Sequence, residues 1–168
     1  MTAEQLVSWY RSKAGTGATP SVPVEELARL YIEEGRVEGV AGDLAFVQAM
    51  IETGWLRFSA RVPGAFNNFA GLMAYDGQSG AASFPTAQLG VRAHIQFLRA
   101  YGDAQVTADT LADPPVSPRW TVVLPAVRGI APSWADFGNG VWASAPAYAT
   151  LIDAMYRGLA AQAGVSVK

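Results

Sequence analysis

Ala45-Phe46-Val47-Gln48-Ala49-Met50-Ile51-Glu52-Thr53-Gly54-Trp55 reads as the body and the stop of a helix. Asp43 is a good capping residue at its start, and Gly54 suits a C-terminal stop. Leu44, Val47 and Ile51 fall on one face, with Met50 beside them. Residues four apart share a face, so Gln48 and Glu52 lie together above Ala45. The stretch therefore joins an apolar face to a narrow polar stripe and leads into Trp55. An acid and an amide beside a tryptophan suit a sugar cleft: the ring covers a pyranose, and amides bond hydroxyl and acetamido groups. At a helix C-terminus the partial negative charge disfavours ionisation of Glu52, and burial does the same. Both raise its pKa, as a general acid for glycosidic cleavage requires. The plainer reading is a solvated glutamate at a helix end, and the helix geometry alone leaves both open.

Working outward, the same periodicity predicts further helices. Thr2 with Gln5 forms a capping box before a short helix ending near Gly15. A Gly/Thr/Pro-rich linker runs from there to Pro23. A second helix is predicted from about Pro23 to Glu38, with Leu27, Leu30, Tyr31 and Glu34 setting its faces, and Gly39 and Gly42 stopping it. Between Leu56 and Phe84 no helical period survives. This segment reads as irregular loop plus a small hairpin turning at Asp76-Gly77-Gln78-Ser79-Gly80. Thr86 caps a fourth helix reaching about Tyr101. Residues 102–132 read as proline-rich loop with one short turn, and Ser133 to Phe137 as a single helical turn. Ser144 is the expected cap of a last helix with Leu151, Ile152, Met155, Tyr156 and Leu159 on its apolar side. The expected architecture is one domain over residues 1–168, mainly α. It has an N-terminal helix and linker (1–22) and a small lobe (66–85).

Composition narrows the chemistry. The chain has 168 residues, 51% of them hydrophobic and 15% charged, which fits a domain with a real core. A net charge of −2 gives no electrostatic signal for nucleic acid. No apolar run is long enough to span a membrane, so no membrane insertion is expected. The first residues lack a basic segment leading into an apolar one, so no secretory signal is read there. There are no cysteines and one histidine, His94. Thiolate metal sites are excluded, and no metal or cofactor is expected. Catalysis must come from carboxylates, hydroxyls, amides and aromatics. His94 reads as structural, and Trp9, Trp120 and Trp134 as packing or rim residues.

The stretch Gln48-Ala49-Met50-Ile51-Glu52-Thr53-Gly54-Trp55 resembles the signature helix of bacterial endo-β-N-acetylglucosaminidases, the glycoside hydrolase family that includes the flagellar rod-cap hydrolase and many autolysins. Three further stretches resemble that family in order. They are Asn67-Asn68-Phe69-Ala70-Gly71, the run from Ser83 to His94, and Trp142-Ala143-Ser144-Ala145-Pro146-Ala147-Tyr148. Together they span roughly residues 30–160. The resemblance implies a lysozyme-like α+β fold, with a helical lobe and a small β-hairpin lobe flanking a cleft. It implies Glu52 as general acid and Tyr148 as a catalytic tyrosine near it that helps orient the substrate's acetamide, against the plainer reading of Tyr148 as core. Many members carry a glutamate in the small lobe. This chain has no glutamate after Glu52, and Asp76 is the only acid between residues 53 and 102. Asp76 is either a catalytic base or stabiliser, or an ordinary turn aspartate. The substrate's own 2-acetamido group is a further candidate for that role. Gln48, Trp55, Asn68 and Trp142 are the candidate substrate contacts. Asn68 also reads as a shaper of the lobe's backbone, and Trp142 as either platform or core.

The implied activity is hydrolysis of the β-1,4 bond between N-acetylglucosamine and N-acetylmuramic acid in peptidoglycan, by a monomer. The implied place of action is extracellular or at the cell wall, or reached by phage delivery. A lytic transglycosylase or a muramidase of the same fold would leave different reducing ends. A non-catalytic wall-binding or structural module would bind without turnover.

Overall fold

The computed structural model describes residues 1–73, 80–116 and 124–167. Helix α1, Ala3–Lys13, starts at the expected capping box. The Thr2 amide donates to Gln5 Oε1 at 2.9 Å, and the Gln5 amide donates back to Thr2 Oγ1 at 3.3 Å. Helix α2, Val24–Glu38, begins after Pro23 and ends at Gly39, whose left-handed geometry returns its N–H to Gly35. Helix α3 is Gly42–Glu52, α4 Ala87–Gly102, α5 the single turn Leu124–Val127, and α6 Tyr148–Ala163. Short 3₁₀ turns occupy Gly64–Phe66, Ala108–Thr110 and Trp134–Asp136. The last of these is capped by Ser133 and falls within the single turn expected from Ser133 to Phe137.

Helix α3 is the centre of the molecule. It packs against α2, α4 and α6, and α1 closes the group against α2 and α6. Residues from every side of α3 are buried, including Asp43, Phe46, Val47, Gln48 and Met50. Gly42 opens this helix rather than ending the previous one. A Cβ at Gly42 would lie 2.1 Å from the Tyr31 carbonyl oxygen, so only glycine lets α3 start this close to α2. Asp43 consequently sits inside the first turn and is not the cap. Its carboxylate accepts from the Tyr156 hydroxyl of α6 at 3.0 Å.

Two charged residues of α2 also turn inward. Glu34 and Glu38 are 3% and 4% exposed, and each meets an arginine of α4 at 2.8 Å, Arg92 and Arg99 respectively. Gln88 and Gln96 complete the two carboxylates. Buried charges need such full pairing to be tolerated, and here the pairs set the register of α2 on α4.

Three expectations are corrected. Among the described residues there is no β-strand; Gly138 and Val141 form one isolated bridge. The expected β-hairpin lobe is thus not seen, and its turn, including Asp76, lies outside the described residues. Two backbone bonds, Ala82 N–H to the Leu72 carbonyl at 2.9 Å and Phe84 N–H to the Phe66 carbonyl at 2.8 Å, link its sides, and asparagine side chains add to them. Asn68 Nδ2 donates to the carbonyls of Leu72 and Ala82, both at 2.9 Å, and Asn68 Oδ1 accepts from the Leu72 amide. Asn67, the residue with left-handed φ, donates to the Phe84 carbonyl. Second, Ser144 does not cap α6. The residue before a proline is biased away from helical geometry, so the chain turns through Pro146 and the helix starts only at Tyr148. Third, Leu151 is 45% exposed, while Ile152 and Leu159 carry the buried side of α6.

Candidate active site

Glu52 is the last residue of α3, and the turn after it fixes its direction. Thr53 is buried; its hydroxyl donates to the Ala49 carbonyl at 2.6 Å and accepts from the Leu56 amide at 3.0 Å. Gly54, Trp55 and Leu56 then take left-handed φ in succession, and Phe58 does so again. For residues with a Cβ this geometry is costly and persists only where the surroundings over-determine it. Here the Trp55 amide bonds the Met50 carbonyl at 2.7 Å and the Phe58 amide bonds the Thr53 carbonyl at 2.8 Å. The strained turn throws the chain sharply off the helix end and leaves the Glu52 side chain over a cavity.

That cavity holds about 280 Å³ and is lined by Glu52, Thr53, Gly54, Arg57, Phe58, Ser59, Val62, Asn68 and Gly71. Glu52 is its only carboxylate among these residues. Arg57 is tied to the carbonyls of Ala14, Thr16 and Gly54, so it joins the N-terminal linker to the cavity wall. Gly71 brings the small lobe's backbone against the acid: a Cβ there would lie 3.6 Å from Glu52 Oε2.

The two oxygens of Glu52 have different surroundings. Oε1 accepts from Trp142 Nε1 at 3.0 Å and from the Tyr148 hydroxyl in a short contact. Two donors fill the accepting positions of Oε1, so a proton on this carboxyl resides on Oε2, the oxygen that faces Gly71. Burial raises the Glu52 pKa, and the hydrogen bonds from Tyr148 and Trp142 offset part of that rise. The group is thereby suited to hold a proton and release it. Tyr148 is 6% exposed, and burial with the neighbouring Glu52 charge raises its pKa far beyond the ordinary phenol range. Its hydroxyl donates to Glu52 Oε1.

The predicted site residues fall into distinct places. Glu52, Gln48, Tyr148 and Trp142 form one connected group, with Gln48 Nε2 donating to the Tyr148 hydroxyl at 3.1 Å. The Trp142 ring is partly buried among His94, Phe97, Tyr101 and Phe137. Its indole N–H is spent on the acid. Asn68 lines the cavity, but its amide is engaged within its own loop. Trp55 turns away from the lining residues and packs on Trp9, with ring centroids 4.9 Å apart. Trp9 is core, Trp134 is partly buried on Phe137, and Trp120 lies outside the described residues. Residue patterns give no signal for Arg57, since arginine is common in loops; Gly71 closes the Asn67–Gly71 stretch, but only the folded chain places it against the acid.

Comparison with known proteins identifies the family. Residues 28–161 match the family model described as Glucosaminidase, mannosyl-glycoprotein endo-beta-N-acetylglucosaminidase. An "Uncharacterized protein" of Borreliella burgdorferi is 35% identical over 125 residues, covering 74% of this chain and 57% of that protein. The chain thus spans little more than half the length of this curated relative. No solved structure matches the chain. With the matched region holding α3, the cavity and Tyr148, the chain belongs to the glucosaminidase family of glycoside hydrolases.

Proposed function

We propose that this domain cleaves the β-1,4 bond between N-acetylglucosamine and N-acetylmuramic acid in peptidoglycan, with Glu52 as the general acid. One observation carries the reading. A buried carboxyl at the end of α3 has one oxygen saturated by Tyr148 and Trp142, and the other at a cavity. Such a group delivers its proton from Oε2 to the departing glycosidic oxygen, and Tyr148 and Trp142 stabilise the carboxylate that remains. Family membership supplies the bond class. The second group is Asp76, or the 2-acetamido group of the substrate with Tyr148, beside Glu52, as its helper.

The cavity suits a glycan strand approaching from outside the protein. No described helix is long and apolar enough to cross a membrane. Action at the cell wall, extracellular or phage-delivered, accords with the proposed substrate.

Mass spectrometry of digested peptidoglycan tests the bond. Products with reducing N-acetylglucosamine ends are expected. Reducing muramic acid ends would reassign the chain as a muramidase, and 1,6-anhydromuramic ends as a lytic transglycosylase. Wild-type protein that pellets with walls and releases nothing would mark a binding module. Asp76→Asn separates the two second-group candidates. A loss of about 10²-fold or more places Asp76 in the chemistry. A near-normal rate with inhibition by a thiazoline mimic of the cyclised acetamide places the acetamido group there.

A further inference from the structure

The hydrogen bonds that reach Glu52 begin well inside the core. Tyr31 on α2 and His94 on α4 are both fully buried. The Tyr31 hydroxyl lies 2.8 Å from His94 Nδ1, and His94 Nε2 lies 3.0 Å from Gln48 Oε1. Gln48 Nε2 meets the Tyr148 hydroxyl at 3.1 Å, and that hydroxyl meets Glu52 Oε1. Four helices each contribute to this single file of polar groups through the interior.

Counting protons gives the file its direction. Among the described residues, the Tyr31 hydroxyl has His94 Nδ1 as its hydrogen-bond partner. A buried hydroxyl proton without an acceptor is costly, so Tyr31 donates and Nδ1 accepts. Burial holds the imidazole neutral, with a pKa lowered to about 3. Its one proton is therefore on Nε2, and that N–H requires an acceptor. The requirement turns the Gln48 carbonyl oxygen toward His94 and the amide nitrogen toward Tyr148. The Tyr148 oxygen accepts from that nitrogen, which leaves the hydroxyl proton for Glu52. A reversed Gln48 amide would present an oxygen to Tyr148 and compete with Glu52 for the same proton.

We propose that Tyr31 and His94 are positioning residues that lock the Gln48 amide, and through it aim the Tyr148 hydroxyl at Glu52. This rests on the reading of Glu52 as the acid, although neither residue touches the reacting atoms. Both act at a distance, through the orientation of one amide.

His94 is the only histidine in the chain, so ¹⁵N NMR of histidine-labelled protein reads a single imidazole. The Nε2–H tautomer is expected in the wild type, and its preference should be lost in Tyr31→Phe. In peptidoglycan-clearing assays Tyr31→Phe should lower kcat by roughly tenfold, the scale of one misdirected hydrogen bond, with KM unchanged. In a Tyr148→Phe background the same substitution should change kcat no further, because its route to Glu52 is already gone. His94→Gln retains a donor toward Gln48 and should recover most of the rate that His94→Phe loses. Thermal melts of each variant confirm that the compared proteins are folded. An Nδ1–H tautomer in the wild type overturns the proposal. So does an equal loss of kcat from Tyr31→Phe with and without Tyr148. If Glu52→Gln is inactive while Tyr31→Phe is fully active, the positioning role alone fails. If Glu52→Gln cleaves at the wild-type rate, the acid assignment beneath it fails.

Discussion

Around Glu52 the protein commits a central helix, a strained left-handed turn and donors from α6 and the Trp142 loop. Across the cavity, the described parts of the segment from Phe66 to Phe84 are tied by two backbone bonds and two asparagine side chains. The acid's wall is over-determined. Oε1 has two donors, Thr53 bonds both before and after itself, and aromatic rings box Trp142. The facing wall offers Gly71, Asn68 and backbone, with no second carboxylate among the described lining residues. The difference shows where positional accuracy is needed. A proton donor must hold one oxygen toward the bond within a fraction of an ångström. The opposite wall needs only to keep its backbone in place.

The largest effect tests the first wall. Glu52→Gln should lower turnover by about 10²–10⁴-fold while wall binding persists. It should also alter stability against pH. Because the folded pKa of Glu52 is raised, the native state holds its proton above the ordinary carboxylate range. Stability from this group is full below the unfolded pKa and is lost as pH rises through the folded pKa. Thermal melts of the wild type should show that decline on the basic side of the ordinary carboxylate range. Glu52→Gln should remove that component, and an unchanged profile would mean the carboxyl is not buried in solution.

Tyr148→Phe comes next. Loss of the hydroxyl should slow turnover by about 10- to 10²-fold, since a hydrogen bond to a charged group contributes about 1.5–3 kcal/mol. The same bond lowers the Glu52 pKa. Removing it should therefore move the basic limb of the pH–rate profile to higher pH, even as the maximum falls. A limb that moves to lower pH would show that Tyr148 acts on Glu52 in some other way.

The smallest catalytic effect, and a structural one, is expected on the second wall. Asn68→Leu keeps volume but leaves the Leu72 amide and the Ala82 carbonyl without their side-chain partner. Each buried group so exposed costs about 1–3 kcal/mol. Hydrogen exchange should quicken at residues 68–72 and near Ala82, KM should rise, and kcat should change little. Unchanged exchange there would show that the lobe is held by something other than this amide.

Much of the acid's wall is legible in sequence because it is local. The capping box at Thr2, the cap at Thr86, the end of α2 at Gly39 and the shared face of Gln48 and Glu52 all arise from helical spacing. They involve residues a turn apart. The small lobe reads as a hairpin because turn-rich sequence signals reversal of the chain. Such sequence does not reveal whether strands or asparagine side chains will bridge the reversal. Ser144 misleads for a related reason: a serine before a helical pattern is a good cap unless a nearby proline delays the helix. Trp55 points toward sugar by its place after the acid, yet the left-handed turn carries it back onto Trp9.

By itself, then, the sequence determined the helices, the polar stripe on α3 and the acid at its end, since each depends on neighbours three or four residues away. Only the tertiary structure decided which oxygen of Glu52 takes the two donors. Its two donors come from positions 90 and 96 residues further along the chain. His94 reaches Gln48 from a third helix. No spacing rule brings such residues together; packing of α2, α4 and α6 around α3 does, because each buried polar group there must find a partner.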